Sequence, residues 1–177
     1  RQLKRDIRKP LVIMTPKSLL RHKRATSPLS MMDEGTTFHR LLWDDAEMLQ
    51  GEVIKLQPDD KIRRVILCTG KVYYDLYEER EKRGLTDIYL LRVEQLYPFP
   101  FSQVEAILKK YPKAHRAWLQ EEPANMGAFF YVDPILDRVA SGRSVRSVKR
   151  SASASPATGS AKAHALEQKT LLTMAFA

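Results

Sequence analysis

A single cysteine, Cys68, stands in a chain of 177 residues. One thiol excludes an internal disulfide and fits a reducing compartment. It lies in "RRVILCTG", an apolar setting that predicts a buried structural thiol rather than a nucleophile. Four histidines (His22, His39, His115, His164) are scattered without HxxxH or cysteine partners, so no metal site is indicated. No apolar run approaches the roughly 18 residues of a membrane span. The opening "RQLKRDIRKP" is basic but lacks the apolar core and cleavage site of a signal peptide. No nucleophile, base and orienting group fall together as an independent hydrolase needs.

The net charge of +9 is unevenly spread. Residues 1–24 hold nine Lys/Arg and one acid, a net of +8; residues 25–137 hold 14 basic and 19 acidic, a net of −5. Residues 138–177 hold seven basic and one acidic, a net of +6. Basic ends around an acidic middle, without an aromatic stacking platform, do not describe a general nucleic-acid binder. Two basic segments facing acidic surfaces of a larger assembly fit better.

The apolar pattern predicts the elements. "KPLVIMTP" reads as a buried strand and "PKSLLRHKR" as one helical turn. Residues 25–60 are polar and broken by turn signals, and within them "FHRLLWDD" suits either an edge strand or a short helix. From residue 61 the pattern is regular. "RRVILCTG" is a strand, and "KVYYDLYEEREKRG" a helix with its stripe at Val72, Tyr73, Leu76 and Tyr77, with i,i+4 pairs Glu78–Lys82 and Glu79–Arg83. "DIYLLRVEQL" is the next strand, and "PFSQVEAILKKYP" a helix with a stripe at Val104, Ile107, Leu108 and Tyr111. "HRAWLQEEP" is a strand; "NMGAFFYVDPILDRVA" is helical with a restart or kink at Asp133-Pro134. "SVRSVKRSAS" is a basic strand and "SAKAHALEQKTLLTMAF" a closing helix. The alternation predicts an α/β fold: a mostly parallel sheet of about five strands with helices on both faces.

In such a sheet, the loops at the C-terminal ends of the strands gather along one edge, where ligands or partners are met. Here those loops are "TGK", "EQLYPFP", "QEEPANMG" and "SASPATGS". The adjacent carboxylates Glu121 and Glu122 lie on that edge and raise the question of acid–base chemistry. Consecutive residues of an extended chain point to opposite faces, so the two would not share one substrate atom. The expectation is a local cap or ion pair for one and an interface for the other. Lys71, Gln95, Glu121 and Glu122 are therefore assigned to an interface. The Ser/Thr/Gly-rich loop before the last helix allows two readings. One is a plain helix cap; the other is an anion site formed by Arg150, Ser155, Thr158, Ser160, Lys162 and His164.

The stretches "KPLVIMTPKSLLRHKRATSPL", "VILCTGKVYYDL", "LLRVEQLYPFP", "WLQEEPANMGA" and "SASPATGSAKAH" together resemble the C-terminal region of the thiamine-dependent first component of 2-oxoglutarate dehydrogenase. The resemblance implies an enzyme that decarboxylates 2-oxoglutarate on thiamine diphosphate and passes the succinyl group to a lipoyl carrier. It also implies that cofactor and Mg²⁺ are bound upstream, through a Gly-Asp-Gly motif that the seven glycines here do not form. On this view the segment binds no cofactor itself and serves assembly. Residues 1–25 would end a pyrimidine-binding domain, 26–60 would be a linker with a possible edge strand, and 61–177 a transketolase C-terminal-like domain. The implied partners are the other domains of the enzyme, a second copy and the dihydrolipoyl succinyltransferase, with neither membrane nor nucleic acid. The implied compartment is the bacterial cytoplasm, with the mitochondrial matrix as the alternative. Actinobacterial relatives bind acetyl-CoA partly through arginines after the "EQL" stretch. Here Gln95 is kept but Phe101, Ser102 and Gln103 follow, so that site is expected to be absent. The competing reading is a stand-alone nucleotide- or polyanion-binding regulatory module built on residues 141–164, which hold five basic residues and no acid.

Overall fold

A computed structural model describes residues 4–48 and 54–177. Five strands form one sheet: β1 (Leu41–Leu42), β2 (Arg64–Cys68), β3 (Ile88–Val93), β4 (His115–Pro123) and β5 (Val145–Arg150). Their spatial order is β1-β3-β2-β4-β5, and only β1 runs antiparallel to its neighbour. The helices are α1 (Asp45–Met48), α2 (Val72–Lys82), α3 (Phe101–Lys110), α4 (Phe129–Val139) and α5 (Ala161–Phe176).

Parallel strands need crossovers, and the crossovers cover both sheet faces. Residues of β2 alternate between two cores for this reason. Val65 and Leu67 join Trp118 of β4 against Val104 and Leu108 of α3 and Val132 and Leu136 of α4. Ile66 and Cys68 face the other way, against Tyr73 and Leu76 of α2 and Leu171 and Phe176 of α5. All five residues of β2 are buried, as expected for a central strand of a covered sheet. The helical stripes fall where the periodicity puts them, with Val72, Tyr73, Leu76 and Tyr77 buried on α2 and Val104, Ile107 and Leu108 on α3.

At the N-terminal ends of the strands, two buried arginines serve helix ends. Arg64 Nη1 donates to the Ala175 carbonyl at 2.5 Å, and its Nη2 donates to that of Ala177. Arg116 Nη1 donates to the Ala140 carbonyl at 2.7 Å, just past α4, and Nη2 approaches the Leu108 carbonyl of α3 at 3.4 Å. Helix C-termini carry unbonded carbonyls and partial negative charge, which a guanidinium satisfies. Burial and neighbouring arginines hold both guanidinium pKa values below the ordinary range.

Several expectations need correcting. "KPLVIMTP" is not a buried strand: Leu11, Val12, Ile13 and Met14 are 64–92% exposed and pair with nothing in a sheet. An apolar run specifies a strand only if other strands stand ready to hydrogen-bond it. "FHRLLWDD" takes both forms in turn, edge strand β1 and then the start of α1. Glu79–Arg83 pairs at 2.7 Å, but Glu78 faces His22 at 3.3 Å in place of Lys82. Of the restart or kink expected at Asp133-Pro134, the restart is absent: α4 runs through Pro134 as one helix. "PKSLLRHKR" does make its turn, as a 3-10 helix at Lys17–Arg21.

The stretch after it is fastened to α2. The His22 ring lies 5.0 Å from that of Tyr74, and Arg24 stands 4.4 Å over the Tyr77 ring while bonding Glu81 at 2.5 Å. The basic arm thus meets acids of the middle segment directly.

Candidate functional site

Three of the four loops expected at the C-terminal edge of the sheet are tied together there. Lys71, at the start of α2, reaches across to Glu121 near the end of β4 at 2.9 Å and to Asp75 one turn on at 2.8 Å. Burial disfavours the charged ammonium, but the two carboxylates outweigh it and raise the Lys71 pKa. Asp75 also accepts from Gln168 of α5 at 2.9 Å, and Gln168 accepts from Arg150 at 2.9 Å. Arg150 then bonds Glu167 at 3.0 Å, which Thr158 approaches at 3.4 Å. One chain of polar contacts, Glu121–Lys71–Asp75–Gln168–Arg150–Glu167–Thr158, therefore joins three of the four loops.

Glu121 and Glu122 part company as an extended backbone requires. Glu121 is half-buried against Lys71, while Glu122 is exposed. The loop beyond them is shaped by Gln120, which is buried and donates from Nε2 to the Met126 carbonyl at 2.8 Å. Gly127 has φ +69, and a Cβ there would lie 3.1 Å from Glu122 Cβ and 3.2 Å from the Gln120 side chain. Asn125 links this loop to the next: its Nδ2 donates to the Ser153 carbonyl at 2.9 Å and its Oδ1 accepts from the Ser153 N–H at 3.1 Å.

The residues of the possible anion site are brought together but are largely occupied. Ser160 caps α5, its side chain accepting from the Ala163 N–H at 3.4 Å. Ser155 donates to the Ala157 carbonyl at 2.9 Å. Arg150 is spent on Glu167 and Gln168, with His164 at 3.4 Å. Lys162 is exposed. Glu167 thus stands among these residues as the partner of Arg150 and Thr158, and Ser160 acts as a helix cap. Gln95 turns inward on its own loop, donating to the Pro98 carbonyl at 2.6 Å. That loop leaves an aromatic surface: Tyr97 is 83% and Phe130 71% exposed, and the partly exposed Tyr131 donates to the Leu96 carbonyl at 2.9 Å.

Sequence reasoning missed a second polar cluster, on the β1 side. Asp44 and Arg80 are both fully buried and ion-paired to each other. Asp44 also accepts from the Leu90 N–H at 2.7 Å. Three residues on, Glu47 accepts from Tyr89 at 2.7 Å and from Lys110. Burial opposes ionisation of Glu47, but these hydrogen bonds prevail and hold its pKa below the ordinary value. One signal was available: Arg80 stands four residues after Leu76, on the apolar stripe of α2.

Chemically, the C-terminal edge presents paired charges, a capped helix and exposed rings. Among the described residues no group of three or more His, Cys, Asp or Glu is placed to hold a metal ion. Cys68 is buried, and desolvation pushes its thiol up to about 12. Among the described residues no helix is long and apolar enough to cross a membrane.

A model of the 2-oxoglutarate dehydrogenase C-terminal family matches residues 26–176. The chain belongs to that family. It is 59% identical over 169 residues to 2-oxoglutarate dehydrogenase E1 components of Brucella anthropi, Brucella ovis and Brucella abortus. The alignments cover 93% of this chain but 17% of each relative. The chain thus spans about a sixth of the length of the curated relatives it matches. The polar chain from Glu121 to Thr158, the Asp44–Arg80 pair and the exposed rings all lie within the matched span.

Proposed function

We propose that this chain is the C-terminal part of a 2-oxoglutarate dehydrogenase first component, acting as its assembly domain. In this reading the complete enzyme decarboxylates 2-oxoglutarate and succinylates a lipoyl carrier, and thiamine diphosphate with Mg²⁺ is held by upstream domains. The match over residues 26–176 carries the proposal. The geometry supports the assembly role. Glu121, a carboxylate that could ligate a metal, is neutralised by Lys71, and Lys71 is already shared with Asp75. That donor set does not fit a diphosphate–Mg²⁺ group, so no chemical step is assigned to these residues. Exposed rings at Tyr97 and Phe130 and the apolar arm at Leu11–Met14 suit packing against other domains of the same protein. Residues 1–25 would belong to the preceding domain and 26–60 would lead into the one described here. A second copy and the dihydrolipoyl succinyltransferase are the proposed partners, in a bacterial cytoplasm or, as the alternative, a mitochondrial matrix. The competing polyanion module is disfavoured by the bond from Arg150 to Glu167.

A chimera tests this reading. Residues 26–176 would replace the matching segment of the Brucella anthropi relative, and 2-oxoglutarate-dependent activity would be assayed alongside oligomeric state. Retention of activity within a few-fold is expected. A folded, correctly assembled chimera without activity overturns the proposal.

A further inference from the structure

Strand β5 ends the sheet: among the described residues it pairs with β4 alone. Alternate backbone N–H and C=O groups along Val145–Arg150 therefore face outward with no strand to bond. Beside this edge runs a groove of about 490 Å³. It lies at the end of the strand, where Lys149, Arg150 and the following Ser151 line one side, and Leu166, Glu167 and Met174 of α5 line the other. Leu166 is 66% exposed, so the helical wall offers apolar surface to a visitor. The rings at Tyr97 and Phe130 and the arm at Leu11–Met14, proposed above for assembly, do not line this groove.

Three properties select the occupant. An open strand edge is completed by an extended peptide, which alone continues the backbone ladder. A groove next to the edge accepts side chains from alternate positions of such a peptide. Charge decides the rest. Arg146 is exposed, Lys149 lies 3.8 Å over the Phe129 ring on the opposite face, and residues 141–164 contain no acid. Glu167, the one carboxylate among the residues lining the groove, is engaged by Arg150. A second copy pairing through the same edge would set these cations against their own kind. Like charges placed opposite each other destabilise a strand pair, and basic edges are a recognised guard against self-pairing.

We propose that the outer edge of β5 and the adjoining α5 groove dock an extended acidic segment of another protein, added as a sixth strand. Its apolar side chains enter the groove beside Leu166 and Met174, and its carboxylates, on the other face of the added strand, meet Lys149 on the side of Phe129.

Synthetic peptides test this on the purified chain. Three probes are needed: an alternating glutamate–valine peptide, its lysine–valine counterpart, and the acidic peptide with alternate backbone nitrogens methylated. Amide chemical shifts and hydrogen exchange are read across Val145–Arg150. The acidic peptide should protect these amides, and the binding should weaken several-fold with added salt. The variant K149E should lose the effect by about tenfold while other resonances stay in place, as expected when a paired charge is reversed. Absence of binding at millimolar peptide overturns the proposal. So does equal binding by the lysine or the methylated peptide. Concentration-dependent protection of β5 without any peptide overturns it too, since a second copy would then occupy the edge.

Discussion

Arg80 on α2 and Asp44 just before α1 form an ion pair in which neither side chain retains any exposure to solvent. The pair joins a crossover helix to the far edge of the sheet, across 36 residues of sequence. Arg80 also donates to the Ile88 carbonyl at 3.0 Å, so the guanidinium bonds β3 as well. Removing one partner leaves the other charge buried and unpaired. R80M or D44L should therefore destabilise the fold by about 3–5 kcal/mol, whereas the double replacement R80M/D44L should cost less than the two singles combined. Urea midpoints of the four proteins measure this directly.

The fate of Glu121 separates an interface loop from an active site. Its pair with Lys71 is partly exposed, with side-chain exposures of 29% and 23%. E121Q should therefore cost only about 0.2–1 kcal/mol in stability. In the Brucella chimera it should change turnover by no more than a few-fold. A loss of about a thousandfold without loss of assembly, the scale at which a group acting on the reacting atoms makes itself felt, would place the carboxylate in the chemistry after all.

Cys68 offers a pH test with a definite sign. Its thiol is pushed up to about 12 from the ordinary 9.0 by desolvation. Between those values the unfolded chain ionises its thiol and the folded chain does not, so this group draws the equilibrium toward unfolding as pH rises past 9.0. Native protein at pH 8 should not react with an aromatic disulfide reagent, and one equivalent should react in denaturant. Rapid reaction of the native state would show that the pocket opens.

Much of this architecture was legible because its signals are local. Runs such as "RRVILC" and stripes such as Val104–Ile107–Leu108 name their element and buried face without outside help. Arg80 was hidden because a charged residue on an apolar stripe reads as the stripe's end, unless a partner is known; Asp44 is remote in sequence. The path from Lys71 to Thr158 was hidden for the same reason, since it depends on α5 returning beside β5. The candidate site was legible as a place, the edge of four loops, but not as a set of bonds. The strand expected at Leu11–Met14 failed because apolarity indicates a wish to be covered and does not supply the cover.

Gly127 and Gly159 share a left-handed backbone, with φ of +69 and +70, yet differ in surroundings. A methyl at residue 159 meets open space, whereas at residue 127 it meets Gln120 and Glu122 within 3.1–3.2 Å. G159A should cost about 1–2 kcal/mol from backbone strain alone. G127A should cost more, because Gln120 holds the Met126 carbonyl and cannot yield without releasing the loop. Thermal melts that rank the two variants the other way would refute this account of the loop.

The basic arm gives the last test. Arg21 and Lys23 are exposed, and Leu11–Met14 before them have no sheet to join. His22 and Arg24 are nevertheless held to α2 by Glu78, Tyr74, Glu81 and Tyr77. Such contacts are half-exposed and weak singly, so the arm should open locally far more often than the core unfolds. Arg64, by contrast, lies buried in β2 with its guanidinium on the end of α5. Trypsin should therefore cut at Arg21 and Lys23 well before Arg63 and Arg64, leaving a resistant fragment that contains the sheet. E78Q/E81Q, which removes the acids that grip the arm, should speed the first cuts several-fold and leave core cleavage unchanged. If Arg21 and Lys23 resist as long as Arg64 in a verified monomer, the arm is integral to this domain, and the proposed boundary near residue 25 is wrong.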